Sequence, residues 1–85
     1  MGGLSKRGRE WYIKNIMKIL EKEKQLTTKE LLFKLSQIPQ RKYPIQEERI
    51  TYFLKFLRAK KVIKYKKDNS RRGIWIWLEE NNGYL

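Results

Sequence analysis

The chain has 85 residues, 21 of them Lys or Arg and 9 Asp or Glu, for a formal net charge of +12, with no His and no Cys. That length allows one domain that hides about 60–65% of its unfolded surface and has little room for an active-site cleft. Without Cys and His there are no disulfides, thiolates, imidazole bases or common zinc ligands, so a protein free of metal and cofactor and compatible with a reducing cytoplasm is expected.

The basic lead of residues 1–7 is followed by no long apolar segment, so no secretory signal is expected and the expected location is cytoplasmic. Trp11, Ile13, Ile16, Met17 and Leu20 then recur at three- and four-residue steps, opposite Lys14, Lys18, Glu21 and Lys22. This spacing predicts a first amphipathic helix over about 8–24. Thr27, three residues before Glu30, has the reciprocal hydroxyl and carboxylate arrangement of a helix start, and Leu31, Leu32, Leu35 and Ile38 supply an apolar stripe, so a second helix is predicted over about 28–37.

Pro39 and Pro44 bracket a loop that contains Arg41 and Lys42. Glu47 and Glu48 suit an electropositive helix start, and Ile50, Phe53, Leu54 and Leu57 form an i, i+3, i+4, i+7 face, which predicts a third helix over about 46–60. Val62 to Lys66 alternates apolar with basic, residues 68–73 are turn chemistry, and Ile74 to Leu78 alternates again, which reads as a hairpin with a basic tip. The longest apolar run, 74–78, is far below the roughly 20 residues of a membrane span. Residues 81–85 read as a tail.

Residues 41–72 hold twelve Lys/Arg against three acids, a local charge of 12 − 3 = +9 within the total of +12. Charge concentrated in a folded segment points to a polyanion, nucleic acid being the commonest, rather than to evenly mixed solvation.

Three helices, a turn before the third, and the run Leu57 to Tyr65 (LRAKKVIKY) leading into a hairpin resemble the winged helix-turn-helix superfamily, especially its small archaeal and bacterial transcription-factor type, over about residues 8–80. The resemblance implies an α+β fold, a three-helix bundle followed by a C-terminal β-hairpin wing, and contact with double-stranded DNA. It assigns Gln46, Arg49, Thr51, Tyr52 and Lys55 to bases or flanking phosphates, with Arg58 as an anchor, and Lys66, Lys67, Arg71 and Arg72 to the wing. Arg41 and Lys42 in the preceding loop complete the candidate DNA-binding set. There are two departures. Lys61 stands where the family often has Gly, which predicts a less sharp helix exit. Glu48 faces outward near the start of the third helix, where a carboxylate either accepts from a cytosine amino group or repels phosphate.

Trp75 and Trp77 fall on one face of their strand, with Ile74, Ile76 and Leu78 on the other, so the alternation leaves open which set meets the core. Outward indoles would stack on unpaired bases or dock on a protein. Tyr52 and Phe56 lie on the flank of the third helix, either packing against the wing or forming a partner surface.

Catalysis is not expected. Glu47/Glu48 and Glu79/Glu80 are adjacent pairs that diverge, and the glycines form no phosphate-cradling loop. The reading is a DNA-binding protein, a transcription regulator being one form of it. Its alternative is a non-catalytic accessory subunit of a DNA- or RNA-processing machine, such as a polymerase holoenzyme, anchored on a replication or transcription protein through Tyr52, Phe56, Trp75 or Trp77. A single-strand or RNA-binding module is a third reading. With almost nothing after residue 80 to serve as a dimerisation helix, a monomer is expected.

Overall fold

The computed structural model describes residues 5–39 and 43–80, which form helix α1 (Lys6–Glu23), strand β1 (Gln25–Leu26), helices α2 (Thr28–Ser36) and α3 (Glu47–Ala59), and strands β2 (Ile63–Lys67) and β3 (Gly73–Trp77). The fold is α+β: three helices pack on a three-stranded antiparallel sheet of order β1-β3-β2. The loop residues Arg41 and Lys42, the first four residues of the lead and the 81–85 tail lie outside the described residues.

α1 starts at Lys6, earlier than the periodicity suggests, because the Ser5 hydroxyl accepts from the Gly8 N–H at 3.1 Å and satisfies a free helix-start amide; Lys6 and Arg7 therefore belong to the helix rather than to a lead. Its buried face also corrects the expected one. Tyr12, Ile16, Met17 and Leu20 are buried, whereas Trp11 and Ile13 are half-buried flanks. Tyr12 is fully buried because its hydroxyl donates to the Pro44 carbonyl, so the ring can stack on Phe53 with centroids 5.3 Å apart.

The α2 start is as expected: the Thr27 N–H donates to Glu30 Oε1 at 2.9 Å and the Glu30 N–H to Thr27 Oγ1 at 3.1 Å. Leu31 and Leu35 are buried; Leu32 and Ile38, expected in the same stripe, are half-buried at its margin. α3 buries Ile50, Phe53, Leu54 and Leu57, the four positions the spacing selects.

The exit from α3 is sharp, against expectation. The Val62 N–H donates to the Leu57 carbonyl and the Lys61 N–H to the Arg58 carbonyl, both at 3.0 Å, the paired bonds that close a helix on a left-handed residue. Lys61 adopts that conformation, with φ 63°, although it has a Cβ. The strain of a left-handed non-glycine, offset by the extra chain entropy of glycine, leaves a net cost of about 0.5–1 kcal/mol. Lys61→Gly is therefore expected to stabilise the fold by that amount, read as a rise in the urea midpoint at unchanged m-value.

Strand β1 went unanticipated, since two residues are too few to show a period. It pairs Gln25 with Ile76 and Leu26 with Trp75, which makes β3 the central strand. Its indoles face inward: Trp75 is 5% and Trp77 9% exposed. The Trp75 indole N–H donates to Thr28 Oγ1 at 3.0 Å, and the Trp77 backbone N–H to the Lys24 carbonyl at 2.8 Å. Ile74 and Ile76 are half-buried on the outer face, opposite Lys66 and Lys64, whose aliphatic stems are within reach of them. No helix formed by the described residues is long and apolar enough to cross a membrane.

Candidate nucleic-acid interface

With Ile50, Phe53, Leu54 and Leu57 turned inward, the 100° step of a helix places Glu48, Tyr52, Lys55 and Ala59 along the outermost stripe of α3, and all four are exposed. Thr51 and Arg58 lie on one flank, Arg49 and Phe56 on the other. Gln46 is exposed at the N-cap, where its side chain makes no capping bond. Of the base-facing set expected on α3, Tyr52 and Lys55 are outermost, while the half-buried Arg49 is set on the far flank.

The two flanks lead to different neighbours. The Arg58 guanidinium sits 5.8 Å from the centroid of the Tyr65 ring on β2, and Tyr65 lies so close over Gly73 that an added Cβ there would stand 2.1 Å from its hydroxyl oxygen. Arg58, Tyr65 and Gly73 thus form a continuous path from α3 to the hairpin tip. Lys67, the cross-strand partner of Gly73, shares the Tyr65 face of β2, whereas Lys64 and Lys66 point to the other side. On the opposite flank Phe56 has two cations near its ring, Arg9 at 6.0 Å and Lys60 at 5.6 Å from the centroid. Phe56 thereby meets α1 through Arg9.

The basic residues accordingly divide. Lys55, Arg58, Lys67 and the tip form one group; Arg9 and Lys60 gather over Phe56; Lys64 and Lys66 lie on the outer sheet face. β2 is also an open edge of the sheet, where lysines discourage pairing with another chain, so its charge has a structural use as well.

Asp68 organises the tip. Its Oδ1 accepts from the Ser70 N–H at 2.8 Å and the Arg72 N–H at 2.9 Å, and its Oδ2 from Arg72 Nε at 3.0 Å. The Arg71 N–H donates to the Asp68 carbonyl at 3.0 Å, a turn that leaves Arg71 left-handed with φ 64°. Arg71 is exposed, while Arg72 is partly neutralised by its ion pair with Asp68. Asp68 was legible as turn chemistry but not as the residue that occupies Arg72.

The Arg72 N–H first, aided by the Arg72 guanidinium and the Ser70 N–H and opposed by partial desolvation, holds the Asp68 carboxyl below its ordinary value of 3.8. A carboxyl depressed in the folded state contributes stability that is present above its unfolded pKa and lost as pH falls through the lower folded value. Acidification below pH 3.8 is therefore expected to loosen the tip before the core, seen as earlier loss of amide protection at Ser70 and Arg72 than at Ile63 or Trp75.

The burial of Trp75 and Trp77 corrects their expected use as exposed anchors: neither indole is offered to a base or to a protein. Tyr52, 55% exposed, is the aromatic of the expected partner set that stands in solvent. Phe33, 64% exposed on α2, was missed; its position off the Leu31/Leu35 stripe was the available signal. No family model, curated protein or solved structure matches the chain.

Proposed function

We propose that this chain is a winged-helix domain that binds double-stranded DNA by laying α3 and the basic hairpin tip on the duplex. The observation that carries the reading is the path Arg58–Tyr65–Gly73, which sets the exposed cations of α3 beside those of the tip. The order of helices and strands, with a strand between the first two helices and the hairpin last, supports the winged-helix assignment.

A second observation favours a role for the charge itself. Lys24, Lys61 and Arg71 occupy left-handed positions that glycine fills without strain; of these Arg71 lies at the hairpin tip, where strain retained under an exposed cation fits a side chain kept for contact. Lys55, Arg58, Lys67 and Arg71 supply phosphate contacts; Tyr52 and Thr51 are placed to meet base edges or sugar. Glu48 on the outermost stripe limits close approach to phosphate, so affinity comes from the α3 flank and the tip rather than from the helix start.

The test is a salt titration of binding to duplex DNA, single-stranded DNA and RNA of one sequence. Duplex binding is expected to be the strongest and, for the four phosphate contacts named, to fall by roughly 10² between about 50 and 200 mM salt. Preference for single strands, or a duplex affinity that ignores salt, would refute the reading.

A further inference from the structure

A second surface lies between α1 and α2, lined by no residue of α3 or of the hairpin. It is a cleft of about 470 Å³ whose apolar lining is Ile19, Phe33, Ile38 and Pro39. Phe33 also borders an adjoining depression of about 390 Å³ that reaches Leu26. The ring thus stands between two apolar recesses, and it is the most exposed large apolar side chain among the described residues. A phenyl ring left in water between recesses that would each take a side chain marks an unfilled contact.

The rim defines what would fill it. Lys18, Lys22 and Lys34 border the first recess against Glu23 alone, while Lys29 and Lys34 border the second against Glu23 and Glu30, so the positive excess lies over the first recess. Both glutamates are engaged: Glu23 with Lys34 at 3.3 Å, Glu30 with the Thr27 N–H. Lys18, Lys22 and Lys29 enter no ion pair among the described residues. A cationic rim over an apolar floor is complementary to carboxylates that flank apolar anchors. Nucleic acid fits less well, because the floor is aliphatic and the rim has no arginine to stack or to fork onto phosphate.

We infer that the α1–α2 cleft docks an acidic segment of a partner protein, with an aliphatic or aromatic side chain seated on each side of Phe33. This goes beyond the DNA-binding reading and does not depend on it: the protein would bring an acidic partner to a surface that shares no residue with its cationic tip.

The test uses a displayed library of short peptides, panned on the full chain and measured afterwards as synthetic peptides by fluorescence anisotropy. Enriched sequences are expected to combine Asp or Glu with Leu, Phe or Trp. Their affinity is expected to fall about tenfold or more in Phe33→Ala and in the charge-reversed Lys18→Glu/Lys22→Glu protein, and to be unchanged in Lys67→Ala/Arg71→Gly. Phe33 and both lysines are exposed, so these variants keep the core, which circular dichroism checks. Sequences without acids, no enrichment over a Phe33→Ala bait, or self-association that depends on Phe33 in sedimentation equilibrium would each overturn the proposal. So would a loss of duplex affinity in Phe33→Ala as large as in the tip variant, because the cleft would then belong to the nucleic-acid surface. Failure of duplex binding itself leaves the peptide readout intact, so the two proposals fail separately.

Discussion

Replacing Lys55, Arg58 and Lys67 by Ala and Arg71 by Gly in one protein is expected to lower duplex affinity by about 10²–10³ at roughly 150 mM salt. Each phosphate neutralised by a Lys or Arg releases counterions and adds about 0.9 to the slope of log K against log salt. Removing four such contacts therefore flattens the slope by about 3–4, and the counterion contribution alone at that salt is worth roughly 10³. Because the four residues are exposed, the core is untouched. Gly at position 71 relieves the φ of 64° where Ala would keep the strain, and this offsets the lost contact of Arg58 with Tyr65. Fold and affinity are thereby expected to move independently. An unchanged slope in the variant would show that these cations do not touch phosphate, and the DNA reading of this face would fall with it.

The second large effect concerns stability. Trp75→Ala is expected to destabilise the fold by about 3–5 kcal/mol, the usual cost of removing a buried aromatic side chain. Three losses coincide there: the indole is 5% exposed, its ring packs on Tyr65 with centroids 4.6 Å apart, and its N–H leaves Thr28 Oγ1 without its 3.0 Å partner. For a domain of this size whose total stability is roughly 4–13 kcal/mol, the change is a large fraction of the whole, and the midpoint of thermal unfolding is expected to drop on the order of 20 °C. Trp75→Phe should recover part of it by refilling the volume without the hydrogen bond. A fall of less than about 1 kcal/mol in Trp75→Ala would mean that the indole is not packed as described.

The helices and the two hairpin strands were legible because their periods are local. Ile50, Phe53, Leu54 and Leu57 repeat over enough turns to define a face, and Thr27 with Glu30 closes its own cap within four residues. Tyr12 was not legible: a tyrosine enters a core only when its hydroxyl finds a partner, here the carbonyl of Pro44, 32 residues away. Strand β1 escaped for the same kind of reason, since two residues carry no period and exist as a strand only through Ile76 and Trp75.

The candidate site divides in the same way. The excess of cations after residue 40, the turn chemistry of the tip and the outward position of Lys55 follow from residue order alone. The meeting of Arg58 with Tyr65 and the approach of Arg9 and Lys60 to Phe56 depend on how the elements pack, whereas the flank position of Arg49 follows from the same helical step that turns Lys55 outward.

Chain order and composition were enough to dictate three amphipathic helices, a hairpin and a concentration of positive charge, because each of these arises from residues a few positions apart. They were silent on which side of the hairpin turns inward, since Ile74 and Ile76 are as apolar as Trp75 and Trp77. That choice was made by the assembled helices, where Thr28 offers an acceptor to the Trp75 indole and Leu26 pairs alongside it. A side chain's neighbours across the fold set its free energy when both faces of its strand are equally greasy.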